Sequence, residues 1–135
     1  MTKKYTFPAG EYYVGDPCYA IDNAVWDDLI AVTGCFGYNP DDLSDWNDGL
    51  YHYKYRPCWC HGTAYGDGLY RGSDGYRYAV DAGLIGIIPL EAVDMSELAL
   101  PIDFSGFRIK TFDKDFEVWY NDGVFHFGNI RIYTN

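Results

Sequence analysis

The residues best placed to do chemistry are three aspartates that stand beside glycine or proline. They are Asp16 in Val14-Gly15-Asp16-Pro17-Cys18-Tyr19, Asp67 in Gly62-Thr63-Ala64-Tyr65-Gly66-Asp67-Gly68, and Asp81 in Tyr78-Ala79-Val80-Asp81-Ala82-Gly83. Carboxylates gathered at one end of a sheet can hold a cation, raise one another's pKa values or accept hydrogen bonds from a ligand. A hairpin between Asp67 and Asp81 would set both near Asp16. With the neighbouring rings, Asp16, Tyr19, Tyr65, Asp67 and Asp81 form the expected ligand-binding set. Turn chemistry competes with that reading, because aspartate caps Asx turns and, beside glycine, tolerates positive φ. Asp81 fits the turn reading least. It interrupts the apolar run Ala79-Val80-Asp81-Ala82, where an unpaired charge is costly, so it needs a partner (Arg71 or Arg77) or it faces a site.

Sulfur and imidazole offer two further constellations. Cys18 is a nucleophile only with a base beside it, and His52, His61 and His126 all lie far along the chain. Its expected role is that of a small buried hydrophobe. In Cys58-Trp59-Cys60-His61, alternation puts both thiols on one sheet face and His61 on the other. Structural zinc draws on more widely spaced cysteine pairs, so no metal site is expected. With no signal peptide in view, Cys18, Cys35, Cys58 and Cys60 are expected as free thiols in a reducing cytoplasm. Asp41, Asp42, Asp45 and Asp48 do not match a calcium loop and read as a solvated acidic loop. No dinucleotide, Walker, nucleophile-elbow or zinc-protease motif occurs. Neither a catalytic residue nor a cofactor is assigned.

Strands must position these groups. Residues 4–15 read as one strand broken by Pro8-Ala9-Gly10 and stopped by Asp16-Pro17, since proline donates nothing to a ladder. Residues 22–33 form the helix. Asp22 or Asn23 caps it, Trp26, Leu29, Ile30 and Thr33 recur at helical spacing, and Gly34 stops it. Residues 37–49 read as a surface loop. Tyr51, Tyr53 and Tyr55 alternate with His52, Lys54 and Arg56 as a strand, followed by another over residues 58–65. Turns follow at Gly66-Asp67-Gly68 and Gly72-Ser73-Asp74-Gly75, then a strand pair or one long bent strand over residues 76–88. Weak helical character follows Pro89, and residues 102–112 resume the strand pattern. The last segment is a hairpin with Asp122-Gly123 as a type I′ turn. It sets Tyr120 against Phe125, Trp119 against His126 and Val118 against Phe127, leaving Glu117, Trp119 and His126 on the polar face. The apolar parity changes after Phe127 to Ile130 and Ile132, and Gly128 is expected there as a bulge. The fold class is mainly β: an antiparallel sheet or partly open barrel with one helix packed across it, in a single domain over residues 1–135.

Composition narrows the partners. The chain carries 20 acidic and 10 basic side chains, a net charge of −10. That disfavours direct binding of nucleic acid or of an anionic membrane, both of which need Lys and Arg. An anionic ligand is admitted only by a pocket lined by Lys54, Arg56, Arg71 or Arg77. The 14 Tyr, 8 Phe and 4 Trp either fill the core of a small β protein or form a partner surface. No run has the length of a membrane span, and no apolar stretch follows Met1-Thr2-Lys3-Lys4, so a cytoplasmic protein is expected.

The stretches at residues 10–19, 62–68 and 78–89, with the Phe-Glu-Val-Trp-Tyr-Asn-Asp-Gly run at 116–123, resemble a family of small phage, prophage and bacterial proteins. The resemblance implies a viral or bacterial cytoplasmic setting and brings no defined activity with it. It points at Asp16, Asp67 and Asp81 without giving them a role, and does not extend over Cys58-Trp59-Cys60-His61. Three function classes follow. The expected one is a non-catalytic, phage-type binding protein that sequesters or blocks a host protein or small-molecule ligand, in host takeover or anti-defence. An acidic mimic of nucleic acid would instead fill a basic groove. A small hydrolase or transferase would use Asp16, Asp67 and Asp81.

Overall fold

The computed structural model describes residues 4–33, 50–54, 56–81, 83–94 and 109–135. Over these residues alternating apolar side chains, or continuous apolar runs where both faces are covered as in β7, produce strands β1 (Tyr5–Phe7), β2 (Gly10–Gly15), β3 (Leu50–Tyr53), β4 (Arg56–Gly62), β5 (Gly68–Gly72), β6 (Arg77–Val80), β7 (Leu84–Pro89), β8 (Ile109–Phe112), β9 (Phe116–Asn121), β10 (Val124–Phe127) and β11 (Ile130–Tyr133). They build two antiparallel sheets, one six-stranded in the order β1-β9-β10-β11-β5-β6 and one five-stranded in the order β3-β4-β7-β2-β8. Among the described residues the chain is thus mainly β with one α-helix, and its sheets are not closed into a barrel.

The sheets face each other across a ring-rich core. Phe112 stacks on Phe116 at 3.8 Å between centroids, Tyr12 meets Phe116 edge-on at 5.4 Å, and Trp59 meets Phe125 and Phe127 at 5.9 and 5.8 Å. Many of the chain's aromatics are therefore core residues, packed in the tilted and offset geometries that ring quadrupoles favour. Helix α1 (Asn23–Thr33) starts where the Asp22 Oδ1 accepts the N–H of Val25 at 2.9 Å. Its Leu29, Val25 and Trp26 join Tyr13, Cys58, Cys60 and Ile88 in a second core on the far side of the five-stranded sheet.

Among the described strands the chain passes between the sheets four times, at β1–β2, β4–β5, β6–β7 and β8–β9. What reads as one broken strand over residues 4–15 is therefore two strands in different sheets. The crossover at Pro8 and Ala9 is held by the Tyr12 hydroxyl donating to the Pro8 carbonyl at 2.6 Å and by Ala9 N–H donating to Asp115 Oδ1 at 3.0 Å. Likewise β6 and β7 part company between Val80 and Leu84. The period-two run at residues 51–56 is not one strand: it folds back with Tyr53 opposite Arg56 and Lys54 at φ 46. Alternation continues through such a tight turn, so the pattern conceals it.

The hairpin at residues 116–127 has the expected register, with Asp122 and Gly123 at φ 50 and 83. Gly128 is no bulge. It opens a two-residue turn, with Phe127 opposite Ile130 and Gly128 at φ 60. Residues flanking such a turn pair and share a face, which produces the same change of parity. Gly34, the acidic loop of Asp41, Asp42, Asp45 and Asp48, and residues 95–108 lie outside the described residues. Among those described, no helix is long and apolar enough to cross a membrane.

Candidate functional site

Two crossovers, residues 63–67 and 81–83, meet the end of β2 at one end of the sandwich. The Thr63 N–H donates to the Gly83 carbonyl at 3.0 Å and ties them together. Asp16 follows β2 and is fully buried. Its Oδ1 accepts the Cys18 N–H at 2.9 Å, capping the short 3-10 turn Pro17–Tyr19, and its Oδ2 accepts the Asp81 N–H at 2.7 Å. The Tyr13 hydroxyl donates to the Asp16 carbonyl at 2.7 Å. A carboxylate is kept in such a place only with charge-assisted donors around it, and here it fastens the turn to the β6–β7 crossover.

Asp81 needs no arginine. The strand ends at Val80, so Asp81 stands exposed in the crossover, and it is its N–H that is bound. Asp67 is also exposed, with Oδ1 3.9 Å from the point a Cβ on Gly83 would occupy. Tyr65 is 77% exposed and Tyr19 half-buried. The structure thus brings Asp16, Asp67 and Asp81 to one end and joins Asp16 to Asp81 through a backbone donor. Among the described residues no group of three or more His, Cys, Asp or Glu is placed to hold a metal ion. Cys18 and Cys58 keep their thiols, but Cys60 is disulfide-bonded, which corrects the expectation of thiols throughout. Spacing along a chain cannot tell which cysteines folding brings within bonding distance.

A pairing that local patterns miss lies between the sheets at the same end. His61 stacks on Tyr120 at 3.9 Å, with its Nδ1 2.7 Å from the Gly62 carbonyl. A further polar cluster bridges the two sheets. Lys110 on β8 places Nζ 2.9 Å from Asp74 Oδ2, and the Tyr78 hydroxyl donates to the same oxygen at 2.6 Å. Burial works to raise the Asp74 carboxyl, but hydrogen bonds from Tyr78, Lys110 and the Tyr76 N–H, with the lysine charge, outweigh it and hold the group low. Burial, then Asp74, pushes the Tyr78 hydroxyl far up. Each group has a partner, so the cluster works as a clamp between layers.

The outer faces of the sheets differ. Helix α1 packs on that of the five-stranded sheet, whereas that of the six-stranded sheet is open to solvent at Thr6, Glu117, Arg131, Arg71 and Arg77. One row of side chains crosses it as a stack. Lys4 Nζ lies 4.4 Å from the Trp119 ring, and Trp119 lies on His126 at 4.2 Å with 4° between the planes. Arg131 stands directly opposite His126. Because β1 and β10 flank β9, Lys4 and His126 cover opposite faces of the indole. Burial, then the charges of Arg131 and Lys4, holds the His126 imidazole below its ordinary pKa, and its Nδ1 is buried with no hydrogen-bond partner. In the next row Asn121, Val124, Tyr133, Arg71 and Arg77 stand side by side.

Alternation in the hairpin already places Glu117, Trp119 and His126 on one face. The docking of β5 beside β11, which adds Arg71 and Arg77, leaves no local trace. No protein-family model, no curated protein and no solved structure matches the chain.

Proposed function

We propose that the chain is a non-catalytic binding module whose partner docks on the outer face of the six-stranded sheet. The setting implied by the sequence resemblance, a viral protein that blocks a bacterial host factor in takeover or anti-defence, belongs to the same proposal. The contrast between the two outer faces carries it. One is packed under a helix, while the other presents Trp119, Tyr133 and arginines, the residue types that dominate binding energy at protein interfaces. The loop end supports it from the other side. Asp16, which a hydrolase of this kind would use, is engaged by two backbone N–H groups.

Capture on the immobilised full-length chain tests the reading. A partner from lysate of the bacterial host is expected to be retained by the parent and lost by the double variant Trp119→Ala, Tyr133→Ala, with melting within a few degrees of the parent. Equal retention by both overturns it. So does a turnover abolished by Asp67→Asn with Asp81→Asn in a folded chain.

A further inference from the structure

We infer that Arg71, Arg77 and Arg131 form a receptor for carboxylates, so that the partner of this sheet face is a protein presenting an acidic segment. The inference rests on the binding-module reading and names the chemistry of its partner. The register sets Arg71 directly opposite Arg77 on neighbouring strands, which lie about 4.8 Å apart. Like charges directly opposite each other destabilise a sheet. Among the described residues no carboxylate lies within ion-pair distance of Arg71, Arg77 or Arg131.

Carboxylates are not scarce in a chain with 20 acidic and 10 basic residues. Two cations elsewhere have one: Arg56 sits 3.1 Å from Glu91, and Lys110 sits 2.9 Å from Asp74. Of the basic residues, Lys4, Arg71, Arg77 and Arg131 gather on one face, with Glu117 the acidic strand residue there. A repulsive pair left unrelieved, on an open face of an otherwise acidic protein, is relieved by an anion that arrives from outside. Guanidinium forks match carboxylates two bonds at a time. Tyr133, beside Arg71, supplies apolar contact.

A protein fits this face better than a nucleic acid. A net charge of −10 repels a long polyanion before contact. Base stacking needs a free ring face, and the Trp119 ring already holds Lys4 on one side and His126 on the other. A second copy meeting face to face would set arginine against arginine.

The test titrates the isotopically labelled full-length chain with poly-L-glutamate and, separately, with oligo-dT of matching length. Poly-L-glutamate is expected to shift amide signals at residues 69–71, 77–79 and 131–133, and Arg71→Glu to weaken it about tenfold or more. The same substitution is expected to raise the melting temperature, because it turns a repulsive cross-strand pair into an attractive one. A purely structural arginine would give the opposite shift. Shifts elsewhere, unchanged binding by Arg71→Glu, or a lowered melting temperature overturn the inference. Tighter oligo-dT than poly-L-glutamate binding overturns it in favour of nucleic acid, and self-association lost in Arg71→Glu overturns it in favour of a second copy. If poly-L-glutamate fails while the captured partner is still lost by the Trp119 and Tyr133 variant, only the acidic chemistry falls. If that variant keeps the partner, the binding-module reading falls with it.

Discussion

Asp16 holds the loop end together with a single side chain. Asp16→Ala leaves the partly buried N–H groups of Cys18 and Asp81 without this acceptor. A fully buried unsatisfied donor costs about 1–3 kcal/mol, and two partly buried ones should together lose roughly 2 kcal/mol in urea unfolding. Asp16→Asn keeps one acceptor oxygen and should lose about half as much. A stability equal to the parent's would show that the carboxylate is not the fastener. His126 yields a pH dependence. Its folded pKa lies below the ordinary value near 6.5, so the unfolded chain binds the proton more readily. Stability conferred by the neutral ring is therefore present above about pH 6.5 and is lost as the pH falls through the depressed folded value. His126→Phe should flatten that part of the profile in melts between about pH 5 and 7.5. At this scale the sequence picks out three aspartates that folding brings to one end, but not what each side chain faces there. Glycine and proline mark where they stand, but whether a carboxylate faces solvent or backbone amides is decided by strands remote in sequence.

Single elements are constrained by close approach as much as by burial. A Cβ on Gly86 of β7 would stand 2.6 Å from the Trp59 carbonyl and 2.9 Å from the Cys60 Cβ. Gly86→Ala must push β4 away from the middle of its sheet, and overpacking of this kind costs about 1–3 kcal/mol, read as a lowered urea midpoint. The Lys110–Asp74 link joins β8 of one sheet to the β5–β6 turn of the other. A double-mutant cycle with Lys110→Met and Asp74→Asn should give a coupling of about 1 kcal/mol or more, since both side chains are mostly buried. Zero coupling would mean that the sheets pack without the clamp. Local patterns suffice for the helix at Asn23–Thr33 and the hairpin around Asp122 and Gly123, whose caps and turn residues are contiguous. They fail at Lys54 and Gly128, where a tight turn and an uninterrupted strand or a bulge leave the same trace in the order of apolar residues.

For the whole molecule, the net charge of −10 is less informative than its distribution. The cations of the open face oppose the overall sign, so capture of an acidic partner should weaken steeply as ionic strength rises from about 0.05 to 0.5 M, because exposed charges are screened. Capture insensitive to salt would mean that apolar contact dominates. The mainly β class is legible in alternation alone, whereas the order of the sheets is not: Ile132 opposes Gly72, and nothing local to either residue announces it. The four passages between layers also bear on how the protein acquires its shape. Neither sheet can be assembled from a contiguous stretch, since β1 must await β9, and β2 must await β7 and β8. Loop closure must precede any reward from such distant pairings, which places refolding at roughly milliseconds to seconds. The two layers should also rise together: single-tryptophan variants retaining Trp59 or Trp119, one in each sheet, should report the same rate constant in stopped-flow refolding.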